Sequence, residues 1–144
     1  MVRDSGRGMK LKLDGGLPFI TIEAGWRQSS LKLESVLLDT GSASTVLSAD
    51  RLSTLGIKLE PEDPIHRIVG VGGGEFVYCK RLPWVTLGNC RALDFPVEIG
   101  AMSYGFRIDG ILGMDLMQQI GLLIDLHKLE VSCTETDHAI DVDG

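Results

Sequence analysis

One carboxylate stands between an apolar run and a small, turn-forming triplet, and this stretch constrains the fold more than any other. The run Val36–Leu38 precedes Asp39, and Thr40-Gly41-Ser42 follows it. A continuously apolar run near the middle of a chain is typical of a strand buried on both faces. A glycine after the acid permits a backbone approach that a Cβ would block. The pattern therefore predicts an acid at the end of a buried strand, in a loop that a second chain can approach closely.

Many short strands separated by turn signals predict an all-β domain. We expect strands near residues 17–24, 31–38, 45–47, 65–71, 75–80, 84–87, 92–99, 107–112, 122–126 and 129–133. A helix of one or two turns should follow the cap Ser48 and stop at Gly56, and a second should span residues 114–120. The expected architecture is a closed all-β domain with one or two short helices.

Two further segments accompany Asp39 in the order and spacing of a known family. Residues 69–76 have the pattern of a glycine-rich hairpin tip, and residues 109–116 that of a strand ending in glycine before a helix. With the Asp39 motif, they resemble the aspartic peptidase half-domain of the retropepsin type over about residues 17–132. Residues 112–116 and 123–126 are closer to the bacterial and DNA-damage-inducible branches than to the viral one. The resemblance implies an acid-protease half-barrel that functions as a symmetric homodimer.

The same resemblance implies an aspartic endopeptidase with Asp39 as its catalytic residue. In aspartic peptidases, two carboxyl groups about 3 Å apart share one proton, because both cannot ionise so close together. The ionised group activates a water and the protonated one hydrogen-bonds the scissile carbonyl, so the pair titrates as a unit. Since this motif has no repeat in the chain, the second acid has to come from a second copy across a two-fold axis.

Supporting roles also follow from the resemblance. Thr40 would link the two motif loops across the axis, Gly41 would permit their close approach, and Ser42 would donate to the outer oxygen of Asp39. A mobile flap would bind the substrate and exclude water; it comprises Val69, Gly70, Val71, Gly72, Gly73 and Gly74. A supporting segment would pack beneath the Asp39 loop; it comprises Ile111, Leu112 and Gly113.

Other polar residues are interpreted structurally. Three aspartates lack the Thr/Ser-Gly continuation and are expected to be solvated or to cap turns and helices: Asp109, Asp115 and Asp125. Three histidines are scattered and are expected at the surface: His66, His127 and His138. No His-Glu-x-x-His or comparable cluster is present, so we expect no metal and no cofactor.

Composition favours one soluble domain, and the resemblance implies a peptide or protein substrate. Apolar residues make up 44% of the 144, charged residues 24%, and the net charge of −6 argues against nucleic acid as a partner. No apolar run reaches the length of a membrane-spanning helix. We expect an N-terminal arm at 1–16, the peptidase domain at 17–133 and an acidic flexible tail at 134–144.

Three cysteines bear on the cellular setting. Cys79, Cys90 and Cys133 are odd in number and lack paired metal-site spacing, so we interpret them as reduced thiols rather than as a regulatory disulfide. Residues 1–12 lack the pattern of a secretory signal. We therefore predict a cytoplasmic location, and leave open that a signal or anchor was removed.

Three functional hypotheses stay open at this point. The first is a homodimeric aspartic endopeptidase that cleaves extended peptide or protein substrates without a cofactor. The second keeps the fold and the dimer but not the reaction, and makes the chain a catalytically silent dimerisation or peptide-binding module. The third is a monomer that awaits a different partner chain. Peptide hydrolysis separates the first two, and light scattering exposes the third.

Overall fold

The structure is a computed structural model that describes residues 8–70, 73–102 and 107–134. Two short helices occur among these residues, α1 (Ala49–Ser53) and α2 (Met114–Ile120). The strands are β1 (Met9–Lys10), β2 (Lys12–Asp14), β3 (Leu17–Trp26), β4 (Ser29–Leu38), β5 (Val46–Ser48), β6 (Ile65–Gly70), β7 (Gly73–Leu87), β8 (Cys90–Gly100), β9 (Gly110–Leu112), β10 (Leu122–Asp125) and β11 (Glu130–Cys133).

Strand pairing closes most of these strands into a ring. The larger sheet runs in the order β2-β3-β4-β9-β5-β8-β7-β6, and β3 also pairs with β7. One edge of β3 pairs with β4. The other edge pairs with β2 near the start of β3 and with β7 near its end, and the pairing with β7 closes the sheet into a ring. A ring leaves fewer unpaired strand edges than an open sheet. The prediction of a closed all-β domain with two short helices is confirmed.

Two apolar clusters fill the fold. The main core comprises the largest fully buried side chains, among them Ile22, Leu33, Leu47, Ile99 and Leu112. A second, smaller cluster, called here the cleft wall, comprises Phe19, Val46, Val77, Met102 and Ile108, with Leu37, Ile68 and Ile111 packed against it. The two clusters lie on opposite faces of shared strands, because side chains alternate along a strand.

One long strand replaces two predicted ones. The sequence predicts separate strands at 75–80 and 84–87, but β7 runs unbroken from Gly73 to Leu87. Its register with β8 is the same on both sides of Pro83, where Leu82 pairs with Phe95 and Trp84 with Leu93. Proline cannot donate a ladder hydrogen bond, and the long pairing with β8 compensates for that single loss.

A disulfide corrects the interpretation of the cysteines. Cys90 at the start of β8 is bonded to Cys133 at the end of β11, with the Cα atoms 6.0 Å apart. The prediction of reduced thiols is therefore wrong for this pair and holds for Cys79. Spacing did not reveal the pair, because tertiary packing alone brings two residues 43 positions apart to bonding distance.

A second, three-stranded sheet joins the first and the last of the described residues. β11 pairs with β10 on one side and with β1 on the other. Residues 12–14 of the predicted arm form β2, which pairs with β3 in the larger sheet. The division into arm, peptidase domain and tail stays a prediction, and residues 135–144 lie outside the described residues. Neither described helix has the length and apolarity to span a membrane.

Candidate active site

Asp39 directly follows the last residue of β4. β4 pairs in parallel with β9, with Leu37 beside Ile111 and Leu38 beside Leu112, and the Asp39 N–H donates to the Leu112 carbonyl oxygen at 3.1 Å. Parallel pairing places the carboxyl ends of both strands at one edge of the sheet. The Asp39 loop therefore lies against the segment that begins at Gly113.

The loop's own backbone holds the Asp39 carboxylate. The Gly41 N–H donates to Asp39 Oδ1 at 2.9 Å, and the Ser42 N–H donates to the Asp39 carbonyl oxygen at 3.1 Å. These bonds form a tight turn of the kind that aspartate favours. The Asp39 side chain remains partly exposed, and Thr40 and Gly41 are exposed beside it. The carboxylate is thus fixed in direction and open to solvent.

Ser42 does not make the predicted hydrogen bond. Its hydroxyl donates to the Ser44 carbonyl oxygen at 2.8 Å. Because a serine hydroxyl has one proton to donate, it does not donate to Asp39 in this single chain. The role inferred from the family resemblance is wrong here, and the hydroxyl closes the loop instead.

A buried threonine connects this loop to the start of α2. The Thr45 hydroxyl is completely buried, donates to Asp115 Oδ1 at 2.7 Å and accepts the Gly113 N–H at 3.1 Å. The Thr45 N–H donates to the other Asp115 oxygen at 3.2 Å. The interpretation of Asp115 as merely solvated or capping is therefore incomplete. Sequence reasoning missed Thr45, although a hydroxyl shortly after the motif and an acid early in a helix were visible.

The Asp39 loop rests directly on the supporting segment. Met114 N–H donates to the Ser42 carbonyl oxygen at 2.8 Å, and Asp115 N–H to that of Ala43 at 3.2 Å. A Cβ at Gly113 would lie 2.3 Å from the Ser44 carbonyl oxygen. Gly113 and the first two residues of α2 therefore lie directly against the Asp39 loop, and Ile111 and Leu112 precede them in β9.

An apolar wall adjoins Asp39. Directly opposed residues of paired strands share a face, so Leu37, Ile111 and Val46 form one row from β4 through β9 to β5. Asp39 lies two positions beyond Leu37, on the same face by strand alternation. This row belongs to the cleft wall, in which Val46 is buried and Leu37 and Ile111 are partly exposed, so Asp39 follows a sheet face that is apolar and partly accessible.

The predicted flap is the tip of the β6–β7 hairpin. Pairing runs from Ile65–Tyr78 to Gly70–Gly73, and the tip residues Val71 and Gly72 lie outside the described residues. Near the tip, Glu75 Oε2 accepts the N–H groups of Ala101 at 3.0 Å and Met102 at 3.2 Å. This contact ties the hairpin to the end of β8, and no sequence pattern had singled out Glu75.

Asp109 is a buried structural anion and not a solvated one. Its side chain is 6% exposed, pairs with Arg51 at 2.9 Å, and accepts the N–H groups of Glu34 and Ser35 at 3.1 Å each. The prediction of a solvated or capping residue is wrong because α1 and β4 both close over it. Asp125 agrees with its prediction, since it accepts the Lys128 N–H at 3.0 Å in an exposed turn.

Two of the three histidines lie within the described residues. His127 is exposed, as predicted. His66 is also exposed, but its Nε2 lies 2.6 Å from Glu98 Oε2. His138 lies outside the described residues.

The closed ring, the single Asp-Thr-Gly-Ser loop and the glycine turn beneath it define an acid-protease half-domain. Comparison with known proteins agrees: a family model described as aspartyl protease matches residues 30–116, more than half of the chain. The chain belongs to this aspartyl protease family, and the retropepsin-like assignment is confirmed.

Among solved structures, the fold is similar to a retropepsin-like aspartic protease from Rickettsia conorii, with a TM-score of 0.62 and 18% sequence identity. The match covers 86% of this chain and 97% of that one. A search of curated proteins found no significant match.

Proposed function

We propose that this protein is an aspartic endopeptidase whose catalytic site forms between the Asp39 residues of two identical chains. The observation that carries the proposal is the state of Asp39: its carboxylate is held by the Gly41 N–H, partly exposed, and beside an apolar wall. Asp39 differs in this from Asp109, which is buried and saturated with partners.

The two carboxylates would act as one unit. One Asp39 takes a proton from a water held between them, while the other, protonated, hydrogen-bonds the carbonyl oxygen of the scissile peptide bond. Attack by that water gives a tetrahedral intermediate, and proton transfer to the amine nitrogen releases the two products. No metal or cofactor takes part in this scheme.

The exposed part of the motif suits a second copy. Thr40 and Gly41 are exposed, and we assign to Thr40 the hydrogen bond that joins the two loops across the two-fold axis. Gly41 lets the loops approach, because a side chain there would stand at the contact and its Cβ would already lie 3.2 Å from Asp39 Oδ1.

Substrate binding is assigned to the hairpin and the cleft wall. Residues Val69–Gly74 close over an extended peptide, and their backbone hydrogen-bonds it as an added strand. The cleft wall takes apolar side chains that flank the scissile bond, since Val46 and Ile111 lie in the row beside Asp39.

Asp39→Asn tests the proposal directly. We expect loss of hydrolysis of a peptide library with an unchanged unfolding temperature. The matched control is Asp50→Asn, which makes the same change at an exposed residue of α1 and should leave activity intact. Full activity of the Asp39→Asn protein would contradict the assignment of Asp39 as the catalytic residue.

Two further measurements test the dimeric site. Rate per chain should rise with protein concentration, and excess Asp39→Asn chain should suppress wild-type activity because mixed dimers hold only one acid. A wild-type dimer that binds peptides but never cleaves them would favour the silent binding module instead. Monomers in light scattering at all concentrations would favour a different partner chain.

The cytoplasmic location stays a prediction. The Cys90–Cys133 disulfide removes the cysteine argument for it, because disulfides are rare in reducing compartments.

A further inference from the structure

Three side chains of different chemistry converge at the base of the β6–β7 hairpin. His66, Cys79 and Glu98 each offer a ligand atom, and these atoms all lie within 4.8 Å of one another. They come from three neighbouring strands, β6, β7 and β8. An imidazole nitrogen, a sulfur and a carboxylate oxygen together form a donor set typical of zinc.

Sheet register fixes this convergence. Cys79 pairs directly with Glu98, and His66 pairs with Val77, two residues before Cys79 on the same strand. Opposed residues share a face and residues two apart on a strand share it too. All three side chains therefore project from one face of the sheet, and the backbone ladder holds their origins in place.

We propose that His66, Cys79 and Glu98 form a binding site for a thiophilic divalent transition metal, of which Zn²⁺ is the representative. With metal–ligand distances of about 2.0–2.3 Å, tetrahedral geometry requires donor atoms roughly 3.3–3.7 Å apart. The His66 Nε2–Glu98 Oε2 distance of 2.6 Å is that of a hydrogen bond, so these two atoms separate by about 1 Å as the metal replaces the proton between them. His66 is able to move because its side chain is 46% exposed.

Charge favours a dication at this position. A neutral imidazole, a thiolate and a carboxylate carry two negative charges, which one divalent ion cancels. Binding takes the thiolate form of Cys79, and the thiol proton leaves to solvent. A bound cation stabilises the thiolate form of Cys79.

The site lies on the same sheet face as the candidate catalytic residue. Val46 pairs with Glu98, and this extends the row Leu37–Ile111–Val46 to Glu98 and Cys79. Three strand spacings of about 4.8 Å separate β4 from β8. The site therefore lies roughly 14 Å from β4, the strand that Asp39 follows, at the end of this row farthest from Leu37. A bound metal would fasten the hairpin base to β8 and leave Asp39 free.

Cobalt binding to the full chain tests the site without reference to peptidase activity. Co²⁺ added to the Asp39→Asn protein should produce a thiolate-to-cobalt charge-transfer band and the visible bands of tetrahedral cobalt, at one ion per chain. Zn²⁺ should displace the cobalt, and Mg²⁺ should not, because magnesium prefers oxygen ligands. Using the inactive variant separates this result from the success or failure of the proposed function.

Ligand variants decide the assignment. Cys79→Ser should abolish the charge-transfer band, and His66→Ala and Glu98→Gln should each weaken zinc binding at least tenfold. His127→Ala, an exposed histidine far along the chain, is the matched control and should bind as wild type. Zinc should also raise the unfolding temperature of the wild type and of His127→Ala but not of Cys79→Ser. A cobalt spectrum without the thiolate band, or one that persists in Cys79→Ser, would overturn the proposal.

Discussion

Gly113→Ala isolates the contact between the Asp39 loop and the segment beneath it. Gly113 has φ −102° and ψ −176°, an extended conformation that alanine adopts without strain. The added methyl would, however, lie 2.3 Å from the Ser44 carbonyl oxygen and 2.9 Å from that of Ser42. Both atoms belong to backbone, so the loop itself has to move.

The size of that movement sets the expected effect. An ordinary contact of about 3.4 Å requires a shift of roughly 1 Å from the present 2.3 Å. A misplacement of this size at a catalytic group costs about 100-fold in rate. Overpacking of this kind costs about 1–3 kcal/mol in the free energy of unfolding, or roughly 3–9 °C in unfolding temperature.

Measuring catalytic efficiency and thermal unfolding together separates the effect of this contact on the position of Asp39 from a general loss of stability. Gly8→Ala is the matched control, because its methyl meets only ordinary contacts, the shortest at 3.5 Å. We expect Gly113→Ala to lose about 100-fold in kcat/KM at a temperature where it is fully folded, and Gly8→Ala to lose nothing. A folded Gly113→Ala protein with wild-type kcat/KM would refute the claim that this glycine positions Asp39.

Three further outcomes follow from contacts elsewhere in the fold. Thr45→Val should lower the free energy of unfolding by about 2 kcal/mol in urea titrations, because it removes one of the hydrogen bonds to the Asp115 carboxylate and leaves the buried Gly113 N–H without its partner; an unchanged midpoint would contradict this. The hydrogen bond from Lys80 lowers the pKa of Asp63 in the folded protein, against a smaller opposing effect of burial. The stabilisation of the folded protein by this pair is therefore complete above the pKa that Asp63 has in the unfolded chain. It is lost as pH falls through the pKa that Asp63 has in the folded protein. The stability difference between wild type and Lys80→Met should accordingly shrink below about pH 4, whereas a difference constant from pH 6 to 3 would refute the assignment. Reduction of the disulfide between β8 and β11, which closes 43 residues, should lower stability by about 4 kcal/mol in the loop-entropy account, as seen by comparing unfolding with and without reductant.

Local patterns predicted most of the fold. Alternation and apolar runs indicated nearly every strand, and α2 occupies the predicted residues 114–120. Ser48 caps α1 as predicted, since its hydroxyl accepts the Arg51 N–H at 3.2 Å. These features depend on neighbours within a few positions, so they are visible in the sequence. The predicted break between residues 80 and 84 is wrong, because pairing with β8, a non-local contact, outweighs the missing donor of Pro83.

The residues of the candidate site also fall into those that local sequence predicts and those that only distant contacts identify. Asp39, Gly41 and the Gly113 turn carry local signatures, since a turn acid and its glycines are recognisable by their order. Thr45, Asp115 and Glu75 do not, because their role lies in contacts 26 to 70 residues away along the chain.

The sequence by itself determined that an acid ends a buried strand, that a glycine-rich hairpin and a glycine turn accompany it, and that the domain is all-β. Only the tertiary structure decided which cysteines bond, which aspartate is buried against Arg51, and which residues hold the Asp39 loop. The reason is physical: backbone conformation follows from adjacent residues, whereas burial and pairing depend on which strands the closed sheet makes neighbours. His66, Cys79 and Glu98 show this most clearly, since strand register alone brings their ligand atoms together.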